Sequence, residues 1–300
     1  MMQKGKIVVV GILVVLAAVA LLLYLRQGQE ESGGVSAQGL KVAATIFPLY
    51  DMARHIMGER GEAVLILPPG ASEHTFEVTP AQIAKLQGAA LVFQVGGLDD
   101  WIDPIARSLG TARNVLMSKG IALRKSAENS SISDPHYWLS APNAMKMVST
   151  MYDELVLRDP AGTAVYKKNL ALYMKELEEA DFSIRLELAP LAGRPMMTFH
   201  DAWYYFADTY GLQVIGTFER FGGEEPTPAH IADLVTAAKK HGIRVIFSEL
   251  QLSDHELQAF AKDLDLKIFV LDPVGGVAGR DTLPTLFRYN AETIRSALSL

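Results

Sequence analysis

The sequence contains no cysteine among its 300 residues. This absence excludes disulfide bonds, thiolate metal sites, iron–sulfur clusters, a cysteine nucleophile and a lipid-modified cysteine as a membrane anchor. Positive charge is not in excess either, because the formal net charge is -6. We therefore expect no nucleic-acid partner, since an acidic chain has no electrostatic attraction to a phosphate backbone.

Common catalytic motifs are also missing. The chain has no His-Glu-x-x-His, no Gly-x-Ser-x-Gly, no phosphate-binding Gly-x-x-x-x-Gly-Lys and no Gly-x-Gly-x-x-Gly. Each of these motifs places reactive or phosphate-binding groups at a fixed strand or helix end. Their absence favours a binding protein over an enzyme.

The amino terminus, residues 1–26, has the composition of a membrane anchor or signal segment. Lys4 and Lys6 precede an unbroken apolar run of eighteen residues at 7–24. That length lies between a signal-peptide core of about 7–15 residues and a full membrane span of about 20. No convincing cleavage site follows closely, so we favour an uncleaved anchor over a cleaved peptide, with the remainder of the chain exported. Residues 27–38 are predicted to form a flexible tether.

Beyond residue 38, short apolar runs alternate with amphipathic helical patterns, which predicts an α/β fold with mainly parallel sheets flanked by helices. The predicted strands are 41–46, 63–67, 91–95, 195–199, 213–218, 244–247 and 267–271. A repeated segment, 79–86 and 227–234, predicts two related lobes. In each copy, Thr79 or Thr227 can cap a helix and the following proline fits its first turn.

Two helical stretches without strands, 141–157 and 160–188, lie between the lobes. The second predicts a helix of about 28 residues, or about 42 Å, long enough to join the lobes as a rigid connector. Two ordinary helices packed on one lobe are the alternative. We thus predict an amino-terminal lobe at 39–158, a connecting helix at 159–190 and a carboxyl-terminal lobe at 191–300.

Three of the seven histidines differ from the others in their position. His74 lies in a loop that leaves a predicted strand, His200 directly follows a strand, and His136 lies between a polar loop and a helix. Asp272 follows the last predicted strand. Because open α/β sheets bind ligands beyond the carboxyl ends of their strands, we expect these four residues to converge on a divalent metal in a cleft between the lobes. The remaining histidines are expected in helices, without a ligand role: His55, His230, His241 and His255.

Three imidazoles and one carboxylate form a closed tetrahedral set for Zn²⁺, with Mn²⁺ or Fe²⁺ as alternatives. Further carboxylates lie nearby in sequence at Glu73, Asp201 and Glu249. Glu249 follows a strand, where it could either coordinate the metal or orient a histidine.

Several segments, taken in order, resemble the metal-binding solute receptors of bacterial zinc and manganese ABC importers. They are Thr-Ile-Phe-Pro-Leu at 45–49, Pro-Pro-Gly-Ala-Ser-Glu-His-Thr-Phe-Glu at 68–77, Asp-Pro-His-Tyr-Trp-Leu at 134–139, His-Asp-Ala-Trp-Tyr-Tyr-Phe at 200–206, Glu-Glu-Pro-Thr-Pro at 224–228, Ser-Glu-Leu-Gln at 248–251 and Leu-Asp-Pro-Val-Gly-Gly at 271–276. The resemblance extends from about residue 41 to the carboxyl terminus. It implies two lobes joined by one long helix, and His74, His136, His200 and Asp272 as metal ligands. It also implies delivery of the metal to a membrane permease driven by an ATPase.

Two features of the resemblance favour zinc. Manganese members often carry glutamate where this chain has His200, and Glu73 resembles a carboxylate that lies at the site in zinc members. One departure is that residues 123–133 contain no histidine, whereas many zinc members have a histidine-rich loop there. We expect an exported, monomeric, non-enzymatic receptor, either anchored by its amino terminus or periplasmic after cleavage. A zinc-dependent hydrolase and a metal-independent surface adhesin are the alternatives.

Overall fold

The computed structural model describes residues 39–110, 112–126, 132–219, 226–251 and 255–300. The predicted anchor and tether lie outside these residues, as does part of the segment 224–228. Among the described residues, no helix combines the length and the apolar character needed to cross a bilayer.

A parallel four-stranded sheet with the order β2-β1-β3-β4 forms the first lobe. Its strands are β1 (Leu40–Ala44), β2 (Gly61–Leu65), β3 (Leu91–Gln94) and β4 (Arg113–Leu116), and its helices are α1 (Phe47–Met57), α2 (Pro80–Lys85), α3 (Ile102–Ser108) and α4 (Ala141–Arg158). Strand β4 was not predicted. Only Val115 of its four residues is buried, so this edge strand lacks the continuous apolar run that marks a central strand.

The second lobe has its own parallel sheet with the order β6-β5-β7-β8. Its strands are β5 (Pro195–Thr198), β6 (Gln213–Thr217), β7 (Val245–Glu249) and β8 (Lys267–Leu271), and its helices are α6 (Tyr204–Tyr210), α7 (Pro228–His241), α8 (His255–Asp263) and α9 (Leu283–Leu298). Predicted and observed strands agree to within two residues at each end.

The sequence repeat marks equivalent places in two lobes of one topology. In both sheets the second strand pairs with the first and the third follows on the other side. The repeated helices α2 and α7 each connect the second strand of a lobe to its third. The Oγ1 atoms of Thr79 and Thr227 accept bonds at 3.3 Å from the backbone N–H groups of Gln82 and His230, so both predicted helix caps are present. The prediction of two related lobes is confirmed.

Helix α5 (Thr163–Leu188) joins the lobes as a single helix of 26 residues. Short 3₁₀ turns at Pro160–Gly162 and Ala189–Leu191 flank it. It packs against α1 and α4 of the first lobe and against α9 of the second. Its buried residues recur every three to seven positions, so one stripe of the helix faces both lobes: Tyr166, Tyr173, Leu177, Ala180, Ile184 and Leu188. The alternative of two separate helices is therefore wrong.

One buried carboxylate ties the connector to both lobes. Asp51 of α1 accepts a bond from the Tyr173 hydroxyl on α5 at 2.6 Å and from the Leu283 backbone N–H at the start of α9 at 2.8 Å. The same carboxylate accepts a bond from Arg54 Nε at 2.9 Å. A single apolar core, which includes Met52, Tyr173 and Leu286, also runs from one lobe to the other. The two lobes are therefore held in a fixed relation.

The first prediction concerns this carboxylate. Asp51→Ala should lower the free energy of unfolding by about 3 kcal/mol, because two buried donors lose their acceptor at about 1–3 kcal/mol each. Urea unfolding followed by circular dichroism measures the change. Asp233→Ala, on the exposed face of α7, is the control and should change stability by less than about 0.5 kcal/mol. Equal effects of the two substitutions would show that Asp51 does not hold the lobes together.

Candidate metal centre

Three histidine side chains meet between the lobes through their Nε2 atoms. The Nε2 of His74 lies 3.2 Å from that of His200 and 3.3 Å from that of His136, and the third side of the triangle measures 3.4 Å. A tetrahedral zinc ion with Zn–N bonds of about 2.0–2.1 Å requires nitrogen atoms about 3.3–3.4 Å apart. The triangle therefore has the dimensions of one face of a zinc tetrahedron.

Each histidine reaches this point from the carboxyl end of a sheet. His74 lies in the loop between β2 and α2, and its backbone N–H donates to Ser72 Oγ at 3.3 Å. His136 precedes a 3₁₀ turn that Tyr137 fastens to the end of β3 through a bond to the Val95 carbonyl at 2.8 Å. His200 directly follows β5. The three histidines singled out in the sequence thus lie together, and their role as metal ligands stays a prediction.

Buried carboxylates orient two of the rings. Asp134 Oδ1 lies 2.9 Å from His136 Nδ1, and Glu249 Oε1 lies 2.6 Å from His200 Nδ1. An imidazole that donates its Nδ1–H has its lone pair on Nε2, where a metal can accept it. Glu249 is itself fixed by a bond from Trp203 Nε1 at 2.9 Å.

These contacts give Glu249 the orienting role that the sequence allowed. Asp134 was not predicted for its histidine, although its position two residues before His136 was an available signal. No role toward Glu249 was predicted for Trp203, because no sequence signal indicates which group its indole N–H bonds.

Glu73 offers a candidate fourth donor atom. Four ligand atoms lie within 4.8 Å of one another, one each from Glu73, His74, His136 and His200. Glu73 is 5% exposed, and its Oε1 has no hydrogen-bond partner among the described residues. A buried carboxylate oxygen without a partner is costly unless a cation binds it. The donor set of three imidazole nitrogens and this oxygen fits a four-coordinate zinc ion.

Asp272, which the sequence favoured as the fourth ligand, lies outside this group of four. Its Oδ1 accepts bonds from Gln251 Nε2 at 2.6 Å and from the backbone N–H groups of Val274 and Gly275 at 3.1 and 2.8 Å. Coordination by Asp272 stays a prediction. Asp201, a further carboxylate considered from the sequence, is buried next to His200 and also lies outside the group.

The other histidines lie outside the group of four ligand atoms, as expected. His55 faces Asp51 on α1, and the ring of His230 bonds the Thr217 carbonyl at 2.7 Å. His241 ends α7 and His255 begins α8.

The electrostatics divide the three histidines into two classes. Burial, then the charge of His200 and the proximity of His136, lowers the pKa of His74 to about 2. Burial and His200 also hold the pKa of His136 well below its usual value. For His200, burial acts in the same direction, but the Glu249 carboxylate outweighs it and raises the pKa to about 9. Burial raises the pKa of Glu73 to about 7.

The second prediction follows from these shifts in pKa. Since the pKa of His200 is raised, a metal must displace a proton from it at every pH below about 9. We expect affinity to rise with pH up to that value and to fall about tenfold per unit below it. Calorimetry at pH 7.5 in buffers of different ionisation enthalpy should show release of about one proton from His200, with a fraction more from Glu73.

Glu249→Gln is the matched variant for this measurement. It removes the charge that raises the pKa of His200, so the proton released from His200 should largely disappear. Zinc binding without proton release in the unmodified chain would contradict the assignment of a protonated His200.

The sequence model of the family described as zinc-uptake complex component A, periplasmic (ZnuA), matches residues 42–297. The chain is 29% identical over 283 residues to the high-affinity zinc uptake system protein ZnuA of Bacillus subtilis, with 89% of each protein covered. It is 28% identical over 280 residues to the manganese-binding lipoprotein MntA of Halalkalibacterium halodurans, and this match covers 91% of this chain and 93% of that relative.

The fold is similar to solved structures as well. A crystal structure of a ZnuA deletion mutant with bound zinc superposes with a TM-score of 0.80 at 26% identity. The match covers 88% of this chain and 99% of that chain. It confirms the fold predicted from the sequence, two parallel-sheet lobes joined by a long helix.

Proposed function

Because this chain belongs to the family of the zinc-uptake complex component A, periplasmic, we propose that it captures Zn²⁺ with His74, His136, His200 and Glu73. The protein is a metal-binding receptor of an ABC importer and not an enzyme. The resemblance seen in the sequence motifs is therefore confirmed. The family does not favour the hydrolase or the adhesin.

The main support for zinc is the triangle of Nε2 atoms, whose sides measure 3.2–3.4 Å. Three nitrogens and one carboxylate are a tetrahedral set that suits Zn²⁺. Mn²⁺ prefers oxygen ligands and is usually six-coordinate, so this donor set offers it too few oxygens. Relatives named for zinc and for manganese both match the chain, so the donor set is the feature that distinguishes the two metals.

The proposed mechanism is capture without chemistry. His74 and His136 lie in the first lobe and His200 in the second, so a bound ion bridges the two lobes. The single helix α5 and the bonds of Asp51 favour a small movement of the lobes over a wide hinge closure. A full set of protein ligands leaves no position for an activated water, which separates a receptor site from a hydrolase site.

The third prediction tests the metal and its ligands. The metal-stripped full-length chain should bind one Zn²⁺ tightly and Mn²⁺ at least tenfold more weakly, because only the nitrogen-rich set matches zinc. His200→Ala should abolish tight binding, and Glu73→Gln should weaken it by about 10–100-fold, as expected when a charged ligand becomes neutral. Competition against a chelating dye, with metal analysis of the product, measures these affinities.

His241→Ala is the control, since His241 is an exposed residue at the end of α7. It should bind zinc as the unmodified chain does. A preference for Mn²⁺ would keep the receptor role and refute zinc as the cargo. Unchanged binding in His200→Ala would refute the ligand set.

At the membrane, we propose that residues 1–26 remain attached as an anchor and that a monomer delivers the metal to the permease. The basis is the apolar run at 7–24 behind two lysines, with no convincing cleavage site close after it. The fourth prediction is that the expressed protein sediments with membranes and retains the mass of its full sequence. A soluble product lacking the first residues would instead establish a cleaved signal peptide.

A further inference from the structure

Asp272 has its backbone and one oxygen fully engaged. The residue is completely buried at the end of β8. Its backbone N–H donates to Asn290 Oδ1 at 2.9 Å, and its carbonyl accepts from Asn290 Nδ2 at 2.8 Å. The three donors on Oδ1 fix the position of the side chain, so only Oδ2 is available to a further partner. Only Oδ2 has no hydrogen-bond partner among the described residues.

The neighbour of that remaining oxygen is a cation of the chain itself. Arg280 Nη1 lies 3.2 Å from Asp272 Oδ2, and the arginine side chain is only 15% exposed. The guanidinium lies over the ring of Tyr289 at 4.4 Å from its centre, which fixes its position. The Arg280 backbone is also held, since its carbonyl accepts a bond from Gly276 N at 2.9 Å. Arg280 is therefore a built-in counter-ion for Asp272.

The pair lies close enough to the metal centre to matter there. Strand β8 pairs with β7 so that Leu271 lies opposite Glu249. Asp272 directly follows Leu271, and Glu249 contacts His200 Nδ1 at 2.6 Å. Glu73 and Asp272 are thus two of the carboxylates near the histidine triangle. One of them, Glu73, is a member of the group of four ligand atoms, and its Oε1 has no partner among the described residues. The other, Asp272, is paired with a guanidinium.

We propose that Arg280 determines metal specificity by holding Asp272 out of the coordination sphere. The inference rests on the function proposed above. With Asp272 withheld, the ion meets three nitrogens and one carboxylate, which suits tetrahedral zinc. With Arg280 removed, the Oδ2 atom of Asp272 loses its counter-ion and becomes a second anionic oxygen ligand. A site richer in oxygen, with a higher coordination number, favours the harder ion Mn²⁺.

The test compares zinc and manganese affinities of the metal-stripped full-length chain and its variants. Arg280→Gln should raise the affinity for Mn²⁺ relative to Zn²⁺ by about tenfold or more, since one charged oxygen ligand is gained. Arg280→Lys keeps the charge and should keep the ratio of the unmodified chain. Asp272→Asn alone should change zinc affinity by less than about threefold, because a withheld carboxylate contributes no bond to the metal. Electron paramagnetic resonance of bound Mn²⁺ reports whether its coordination changes in Arg280→Gln.

The double variant Arg280→Gln/Asp272→Asn is the decisive control. It should lose the gain in manganese affinity, which a merely structural role of Arg280 would not explain. If Arg280→Gln fails to fold, as circular dichroism would show, the zinc affinity of Asp272→Asn still decides whether Asp272 is held out of the coordination sphere. A loss of more than about tenfold in zinc affinity there would make Asp272 a ligand already and overturn the inference.

The remaining outcomes separate this inference from the proposed function. An unchanged ratio in folded Arg280→Gln, with tight zinc binding that depends on His200, would refute the role of Arg280 alone. The absence of tight binding of either metal by the unmodified chain would refute the proposed function itself.

Discussion

The structure depends on holding three imidazole nitrogens within 3.4 Å of one another. Two of them belong to the first lobe and one to the second. At such distances their lone pairs repel, and a shift of a few tenths of an ångström would spoil a tetrahedral face of about 3.3–3.4 Å. Neither lobe can set this distance alone. The long helix α5, the bonds of Asp51 to α5 and α9, and the bond from Trp138 Nε1 to the Pro273 carbonyl at 2.8 Å each fix one lobe relative to the other. These contacts hold the lobes in a fixed relation. The histidine triangle requires this because it spans the cleft between them.

The same convergence sets the electrostatics. Buried carboxylates surround the three histidines: Glu73, Asp134, Asp201, Glu249 and Asp272. Burial raises the pKa of Asp134 to about 6 and that of Asp201 to about 7, so the charged forms of these groups are disfavoured in the metal-free protein. A divalent cation would relieve the repulsion among them and would be bound by Glu73 Oε1, which has no hydrogen-bond partner in the described part of the chain. The centre is therefore organised around a positive charge, of which the His200 proton is a weaker substitute. This is why metal and proton compete.

The lobes and the meeting of three histidines could be predicted from the sequence, but the arrangement of the carboxylates could not. Seven strands and the connecting helix follow from apolar runs and helical spacing, because buried parallel strands are apolar on both faces. The edge strand β4 was not predicted, because only Val115 of its residues is buried. His74 and His200 could be placed at one site because they follow strands, whose carboxyl ends mark ligand sites, whereas His136 was placed there from its position between a polar loop and a helix. The different surroundings of Glu73 and Asp272 could not be predicted, because the contacts of Gln251 and Arg280 with Asp272 are tertiary contacts that no spacing reveals.

Metal selectivity in such a site is set as much by the donors that are withheld as by those that are offered. Three imidazoles bind most late first-row divalent ions, so the histidines alone select poorly among them. Each added carboxylate shifts the preference toward ions that favour oxygen and a larger coordination number. Of the carboxylates near the triangle, Asp272 has a guanidinium 3.2 Å from its Oδ2, whereas the Oε1 of Glu73 has no hydrogen-bond partner among the described residues. A fold that also matches a relative named for manganese can thus be directed to zinc by one ion pair outside the ligand set, without altering a histidine.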